Sequence, residues 1–325
     1  MNLSAAIRKK STPPLKIVIS ALILGVLFTR MDMPSLSTLL RAAHVSAVLD
    51  ALALMLGQIV FLSLRWQLLV NADKYRLTFI DALRITVSGL LANTLLITSL
   101  GGPVVRVGLT VRQGMNIIKC LCAVVTDRVL TLAAIALFAI ISLPLLPAGM
   151  PGLDGHGDLL SACVVATLGA GLVAWKLLGD ATRRFVISNR KAAAVAIYLR
   201  RIMADETRLA LLGLVSLLGQ MLYFLAIYAV LTSLQNDVDF AKILPVLPAI
   251  ALIASLPLGA GGWGVREGAF IFGLGLIGVP KEIAFVASLQ IGVISMTSMI
   301  LAGLPALLDA DVVSAFRAAR LRHAR

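Results

Sequence analysis

Charge is scarce in this chain. Asp, Glu, Lys and Arg make up 14% of its 325 residues, whereas 59% are hydrophobic and the mean hydropathy is +0.97. Soluble globular domains carry roughly a quarter charged residues. So sparse a supply cannot cover a water-facing surface, and no stretch has soluble composition, which excludes a soluble domain. Cysteine and histidine are equally thin, with three of each. Cys120 and Cys122 form C-x-C, not the C-x-x-C of zinc and redox sites, and Cys163 stands alone in an apolar run. All three read as small apolar fillers. His44, His156 and His323 fall in predicted loops or tails without metal-ligand spacing. No G-x-x-x-x-G-K-[ST] loop occurs, so the chain does not power itself with ATP. Neither a metal nor another cofactor is expected, and no soluble catalytic constellation is visible. Gly273-x-Gly275-x-x-Gly278 matches the dinucleotide fingerprint but follows no strand, so it reads as helix packing.

What the chain has is long apolar runs. Crossing a hydrocarbon core of ~30 Å takes about 20 residues of helix. Full spans are predicted at Leu15–Thr29, Val45–Leu64, Leu121–Leu145, Leu159–Leu178, Leu209–Leu234 and Ile283–Leu308. The first follows Arg8, Lys9 and Lys10 and resembles a signal peptide, but no small-residue cleavage site follows, so it is read as an uncleaved span. Two further apolar stretches are broken by glycine. Phe79–Leu100 runs into Gly101-Gly102-Pro103 and then Arg106, Arg112 and Lys119. Ile243–Leu258 runs into Gly259-Ala260-Gly261-Gly262 and then the shorter piece Ala269–Val279.

The positive-inside rule decides what these broken stretches do. Arg8, Lys9, Lys10 and Lys16 place the N-terminus in the cytoplasm, and Arg65, Lys74 and Arg76 return there after two crossings. A single crossing from Phe79 would put the basic run from Arg183 to Arg208 outside and the Lys- and Arg-free loop Pro147–Asp158 inside. A re-entrant hairpin on the cytoplasmic side removes the conflict. The same parity makes Ile243–Val279 a hairpin entering from the outer side, with Arg317, Arg320, Arg322 and Arg325 in a cytoplasmic tail. The predicted fold is therefore an all-α polytopic membrane protein. It has about six full spans and two glycine-broken re-entrant hairpins in an inverted repeat, with residues 1–150 as the first half and 151–325 as the second. The net charge of +13 belongs to basic loops facing an anionic leaflet; nucleic acid is not expected as a partner.

Paired broken segments at matching positions of inverted halves point to a transporter's central site. Gly102 and Arg106 at the first tip match Gly262 and Arg266 at the second, each pair separated by three residues. Glycine lets backbone N–H groups approach a ligand, and a helix restarting near Val265 offers its dipole to phosphate. Arginine adds a permanently charged fork for the same group. The expected substrate-binding residues are Gly101, Gly102, Arg106, Gly261, Gly262, Trp263, Gly264 and Arg266. Gly264-x-x-x-Gly268 is also compatible with plain helix packing. Arginine inside a membrane costs at least about 2.5–3.5 kcal/mol unpaired, so counter-ions are expected. Asp127, Arg128 and Glu267 are the candidates for counter-ion or proton-coupling roles. Glu267 adjoins Arg266, yet neighbours on a helix do not face each other. Asp81, Arg84, Asp50, Gln58, Gln220 and Gln290 are further polar residues in or near the apolar runs.

Arg65-Trp66, Gly102-Pro103-Val104-Val105-Arg106, Thr126-Asp127-Arg128 and Gly261-Gly262-Trp263-Gly264-Val265-Arg266-Glu267-Gly268 together resemble the lysylphosphatidylglycerol synthase transmembrane, flippase-like family. The resemblance covers nearly the whole chain, and its most specific element is the second tip. The first tip departs from it, with Pro-Val-Val-Arg where many relatives carry a Gly-acidic stretch before the arginine. The resemblance implies lipid translocation or handling in a bacterial inner membrane. Only a short basic tail follows Leu308, where full-length synthases continue into an aminoacyl transferase domain, so lipid aminoacylation is not expected. Stand-alone members are associated with other lipids, including hopanoids and polyprenyl-linked sugars. The expected function is non-enzymatic movement or binding of a lipid with an anionic, phosphate-type headgroup. The alternative is a lipid-binding membrane partner of a lipid- or glycolipid-modifying enzyme. An intramembrane lipid-modifying enzyme is less well matched, for want of a nucleophile or metal set.

Overall fold

The computed structural model describes residues 44–72, 75–95, 101–145, 190–234, 239–255 and 263–307, together with Gly25 and Thr29. Among these the regular structure is entirely helical. In chain order the helices are α1 Val45–Val70, α2 Phe79–Leu95, α3 Gly101–Arg112, α4 Ile117–Ser142, α5 Arg190–Ala204, α6 Glu206–Ser233, α7 Phe240–Ile243, α8 Leu247–Ser255, α9 Val265–Gly275 and α10 Lys281–Leu307. A 3-10 turn, Leu143–Leu145, follows α4.

Four of these helices are long and apolar enough to cross a membrane: α1, α4, α6 and α10. At 1.5 Å per residue, a helix of 26 residues such as α1 is about 39 Å long, more than the hydrocarbon core requires. They coincide with four of the predicted spans. The predicted span Leu159–Leu178 lies outside the described residues, and of Leu15–Thr29 only Gly25 and Thr29 are described, both helical.

Local chemistry sets the helix ends. Asp205 caps α6, its carboxylate accepting the Arg208 N–H at 3.0 Å. Thr78 and Asp81 close the start of α2 reciprocally: the Asp81 N–H donates to Thr78 Oγ1 at 3.2 Å, and that hydroxyl donates to Asp81 Oδ2 at 2.6 Å. Asp81 is thus a cap on its helix. The predicted apolar run from Ile243 is interrupted at Pro245, with α7 before it and α8 starting beyond it.

Small residues bring the spans together. A side chain on Gly57 of α1 would stand 3.2 Å from Leu222, and one on Gly219 of α6 would stand 3.3 Å from the Cβ of Phe61. Two opposed glycines thus seat α1 against α6, the membrane solution to helix association without a hydrophobic driving force. Gly303 of α10 likewise receives Leu91 and Val87 of α2. The buried apolar residues form two large clusters. One joins the C-terminal end of α1 to α2, α3, α4 and α5, centred on Trp66, Leu69 and Tyr198. The other joins α6 to α8, α9 and α10, centred on Phe224, Phe270 and Phe285. Leu49, Leu121, Leu214, Phe272 and Val293 stay exposed, as a lipid-facing surface requires.

The interrupted segments fold as paired short helices. α2 packs on α3, and α8 packs on α9. Gly273 of α9 is in direct contact with Ile250 of α8, so the dinucleotide-like glycine pattern is helix packing at that position.

Candidate functional site

The first glycine pair starts a helix. Gly101 and Gly102 are both buried in the opening turn of α3, and Pro103 stands just inside it, where a missing N–H is harmless. The Gly102 N–H donates to Asn93 Oδ1 of α2 at 2.6 Å. A Cβ on Gly102 would lie 2.7 Å from the Gly89 carbonyl oxygen and 2.7 Å from the Asn93 amide. The two backbones touch, and only glycine fits.

That approach delivers Arg106, one turn further along α3, into the protein interior. Its Nη1 donates to Asp127 Oδ2 at 3.2 Å and its Nη2 to Thr86 Oγ1 at 3.2 Å. Its guanidinium carbon lies 4.7 Å from the ring centre of Trp66, a cation–π contact. Asp127 faces a second arginine as well. Arg65 Nε donates to Asp127 Oδ1 at 2.7 Å, and Arg65 Nη1 reaches Ser216 Oγ of α6 at 3.4 Å. Two arginines thus share one carboxylate, and through their other hydrogen bonds five helices meet in the cluster: α1, α2, α3, α4 and α6. Asp127, Arg65 and Arg106 are 3%, 4% and 8% exposed, so this is an interior cluster and not a surface ion pair.

Arg65 corrects the sequence reading. The apolar run ending at Leu64 predicts Arg65 just beyond the span on the cytoplasmic side, but α1 continues to Val70 and buries Arg65 among the helices. Arg128 is the opposite case: it is exposed, since adjacent helical residues point about 100° apart, and it does not join the cluster.

At the second tip, Gly261 and Gly262 lie outside the described residues. Gly264 has φ 87°, a conformation that L side chains rarely adopt, and from it α9 starts at Val265 as expected. The free N–H groups expected there are not all free. Glu267, fully buried, reaches back to accept the Gly264 N–H. The same carboxylate accepts Arg266 Nη2 at 2.7 Å. Neighbours on a helix were expected to diverge, but Glu267 folds back toward the helix start and the long Arg266 side chain wraps round the same end. Ser288 of α10 adds its hydroxyl, 3.3 Å from Arg266 Nε and 3.4 Å from Glu267 Oε1. Trp263, half-buried, places its ring centre 4.5 Å from the Arg266 guanidinium carbon. Among the described residues, a Cβ on Gly268 would meet nothing within 4 Å.

The two tips thus build the same set of parts: an arginine, an indole face, a buried carboxylate, a hydroxyl and a facing glycine. Gly89 makes room for the stem of Arg106 and Gly292 for the head of Arg266. The family model of the lysylphosphatidylglycerol synthase transmembrane region matches residues 15–303, which takes in every residue of both clusters. The chain belongs to that family. No curated protein matches it. As a member of the lysylphosphatidylglycerol synthase transmembrane family with several apolar spanning helices, it is a multi-pass membrane protein of the kind related to lipid modification or flipping.

One face of α6 runs between the clusters. Ser216 bonds Arg65, Gln220 is buried one turn on, and Tyr223 lies within electrostatic reach of Arg266. Positions i, i+4 and i+7 share a helix face, so these residues form a polar stripe about 10 Å long. Sequence reasoning missed Arg65, Trp66, Thr86, Ser216 and Ser288 as site residues. Only the Arg65-Trp66 pair carried a sequence signal, as a family-like motif at the end of an apolar run.

Proposed function

We propose that this protein moves lipids with an anionic, phosphate-type headgroup across the bilayer without altering them chemically. The observation that carries the proposal is the pair of interior arginine clusters, one on each glycine-started short helix. A buried arginine costs several kcal/mol unless it has a role or a partner, and two such sites built alike suit a headgroup handed from one to the other. The Ser216, Gln220 and Tyr223 stripe supplies polar groups along the route, while the apolar outer surface lets acyl tails stay in lipid.

In this reading α2 with α3 and α8 with α9 are re-entrant hairpins of opposite orientation, in two inverted halves, residues 1–150 and 151–325. Both termini then face the cytoplasm, and the membrane is the cytoplasmic one. Single cysteines at Val104 and Val265, in a background without native cysteines, test the orientation. An impermeant thiol reagent should reach Val265 from outside and Val104 only from the cytoplasmic side. Labelling of both from one side would remove the inverted arrangement.

Transport is tested by reconstituting the purified protein in vesicles with fluorescent phosphatidylglycerol and following loss of signal to an impermeant quencher. The wild type should move the label and Arg266→Ala should not, with the protein still folded. Movement unaffected by Arg266→Ala would take that residue out of the mechanism. An enzyme would instead change the lipid's mass, and a lipid-binding partner of a modifying enzyme would move nothing by itself.

A further inference from the structure

The two arginine clusters differ in charge. At the second tip one guanidinium meets one carboxylate, Arg266 on Glu267, and the cluster is neutral. At the first, two guanidiniums share a single carboxylate, so Arg65, Arg106 and Asp127 carry one positive charge over. Among the described residues no other acid offsets it: the charged groups acting on Arg106 are Asp127, Arg65 and the exposed Arg128. An uncompensated charge on groups this deeply buried is unfavourable by itself and favourable toward an anion.

The count of spare donors supports the same conclusion. The hydrogen bonds of Arg65 use Nε and Nη1, and those of Arg106 use Nη1 and Nη2, which leaves Arg65 Nη2 and Arg106 Nε to spare. Trp66 is fully buried against Arg106, and its indole Nε1 is one of two buried side-chain polar atoms without a partner among the described residues. Buried donors ordinarily find acceptors. At the second tip Arg266 Nη1 is likewise spare, but there the Glu267 carboxylate balances the single guanidinium and also accepts the Gly264 N–H.

We infer that Arg65, Arg106 and Trp66 form a binding site for a single phosphate-type monoanion, and that the Arg266 cluster, satisfied by its own carboxylate, receives the headgroup only by displacing it. This deepens the proposed function by giving the two sites unequal roles: the first holds the anion and the second passes it on. Arg65 becomes a substrate-binding residue beside Arg106.

The experiment is a titration of the purified full-length protein by native mass spectrometry, with phosphatidylglycerol, phosphatidylcholine and inorganic phosphate. The wild type should bind one phosphatidylglycerol in preference to phosphatidylcholine. Arg65→Gln should weaken that binding by about tenfold or more, as expected for losing a charge-assisted contact. Its melting temperature should stay near the parent's, because a one-to-one Arg106–Asp127 pair remains. Arg106→Gln should behave alike, leaving Arg65 on Asp127, and it serves if Arg65→Gln fails to fold. Arg65→Lys should restore most of the binding. Displacement of the lipid by inorganic phosphate would show that the site takes the free anion too, and no displacement would assign it to the headgroup. Wild-type affinity in both glutamine variants would overturn the inference, as would binding lost only in Arg266→Gln. Binding is scored apart from movement. A protein that binds through Arg65 but moves no lipid would refute the flippase reading and leave this site standing.

Discussion

The guanidinium of Arg266 occupies the space that any side chain on Gly292 would need, close against the α10 backbone. The contact is with the far end of a flexible side chain, so Gly292→Ala should fold while pushing the guanidinium off its seat between Glu267 and Ser288. The expected cost in stability is about 1–2 kcal/mol or less, with a much larger loss of lipid movement. Melting and vesicle transport measured on the same preparation check it; transport equal to the parent's would show that the seat does not matter.

Gly102 has no such latitude. Its neighbours are the Gly89 carbonyl and the Asn93 amide that caps it, each 2.7 Å from a Cβ at that position. Gly102→Ala must spread α2 from α3, at about 1–3 kcal/mol. A clear drop in melting temperature is expected, together with reduced transport because Arg106 shifts with the helix.

Asp127→Asn leaves two buried guanidiniums without a counter-charge. Removing one partner of a buried ion pair typically costs about 3–5 kcal/mol, and here the carboxylate serves two. The variant should express poorly or melt far below the parent. A melting temperature within a few degrees of wild type would contradict the shared-carboxylate arrangement.

Glu267→Gln separates charge from capping. Glutamine can still accept the Gly264 N–H, as it does in capping boxes, so α9 should keep its start. The charge opposite Arg266 is gone, however, and the second cluster then carries a positive charge over, like the first. Native mass spectrometry should count two bound phosphatidylglycerol molecules in place of one. An unchanged count would show that Glu267 does not govern occupancy of the second cluster.

Composition alone identifies the solvent. A chain with 14% charge and apolar runs of spanning length can satisfy its backbone in lipid only as helices, so a polytopic helical protein was legible from composition and run length. The glycine interruptions likewise marked where short helices start, and α9 begins at Val265 as the pattern expected. Arginine is rare enough inside apolar segments for its position to be informative, and glycine is informative where it is clustered.

Which charges pair follows instead from how the helices pack. Arg65 and Asp127 are 62 residues apart in the chain, and nothing local joins them. The apolar run ends at Leu64, so hydropathy put Arg65 in a loop, while the helix ran on because helix length follows packing and hydrogen bonding as well as apolarity. Arg128 looked equivalent to Asp127 in sequence, yet helix rotation leaves it outside. Glu267 is a counter-ion candidate from the sequence, but the rule that helix neighbours diverge does not pair it with Arg266, and that rule does not hold where a side chain caps its own helix. A sequence can show which residues are costly to bury; which charges compensate one another depends on distances between helices, and those are set by the glycine contacts that bring α2 to α3 and α9 to α10.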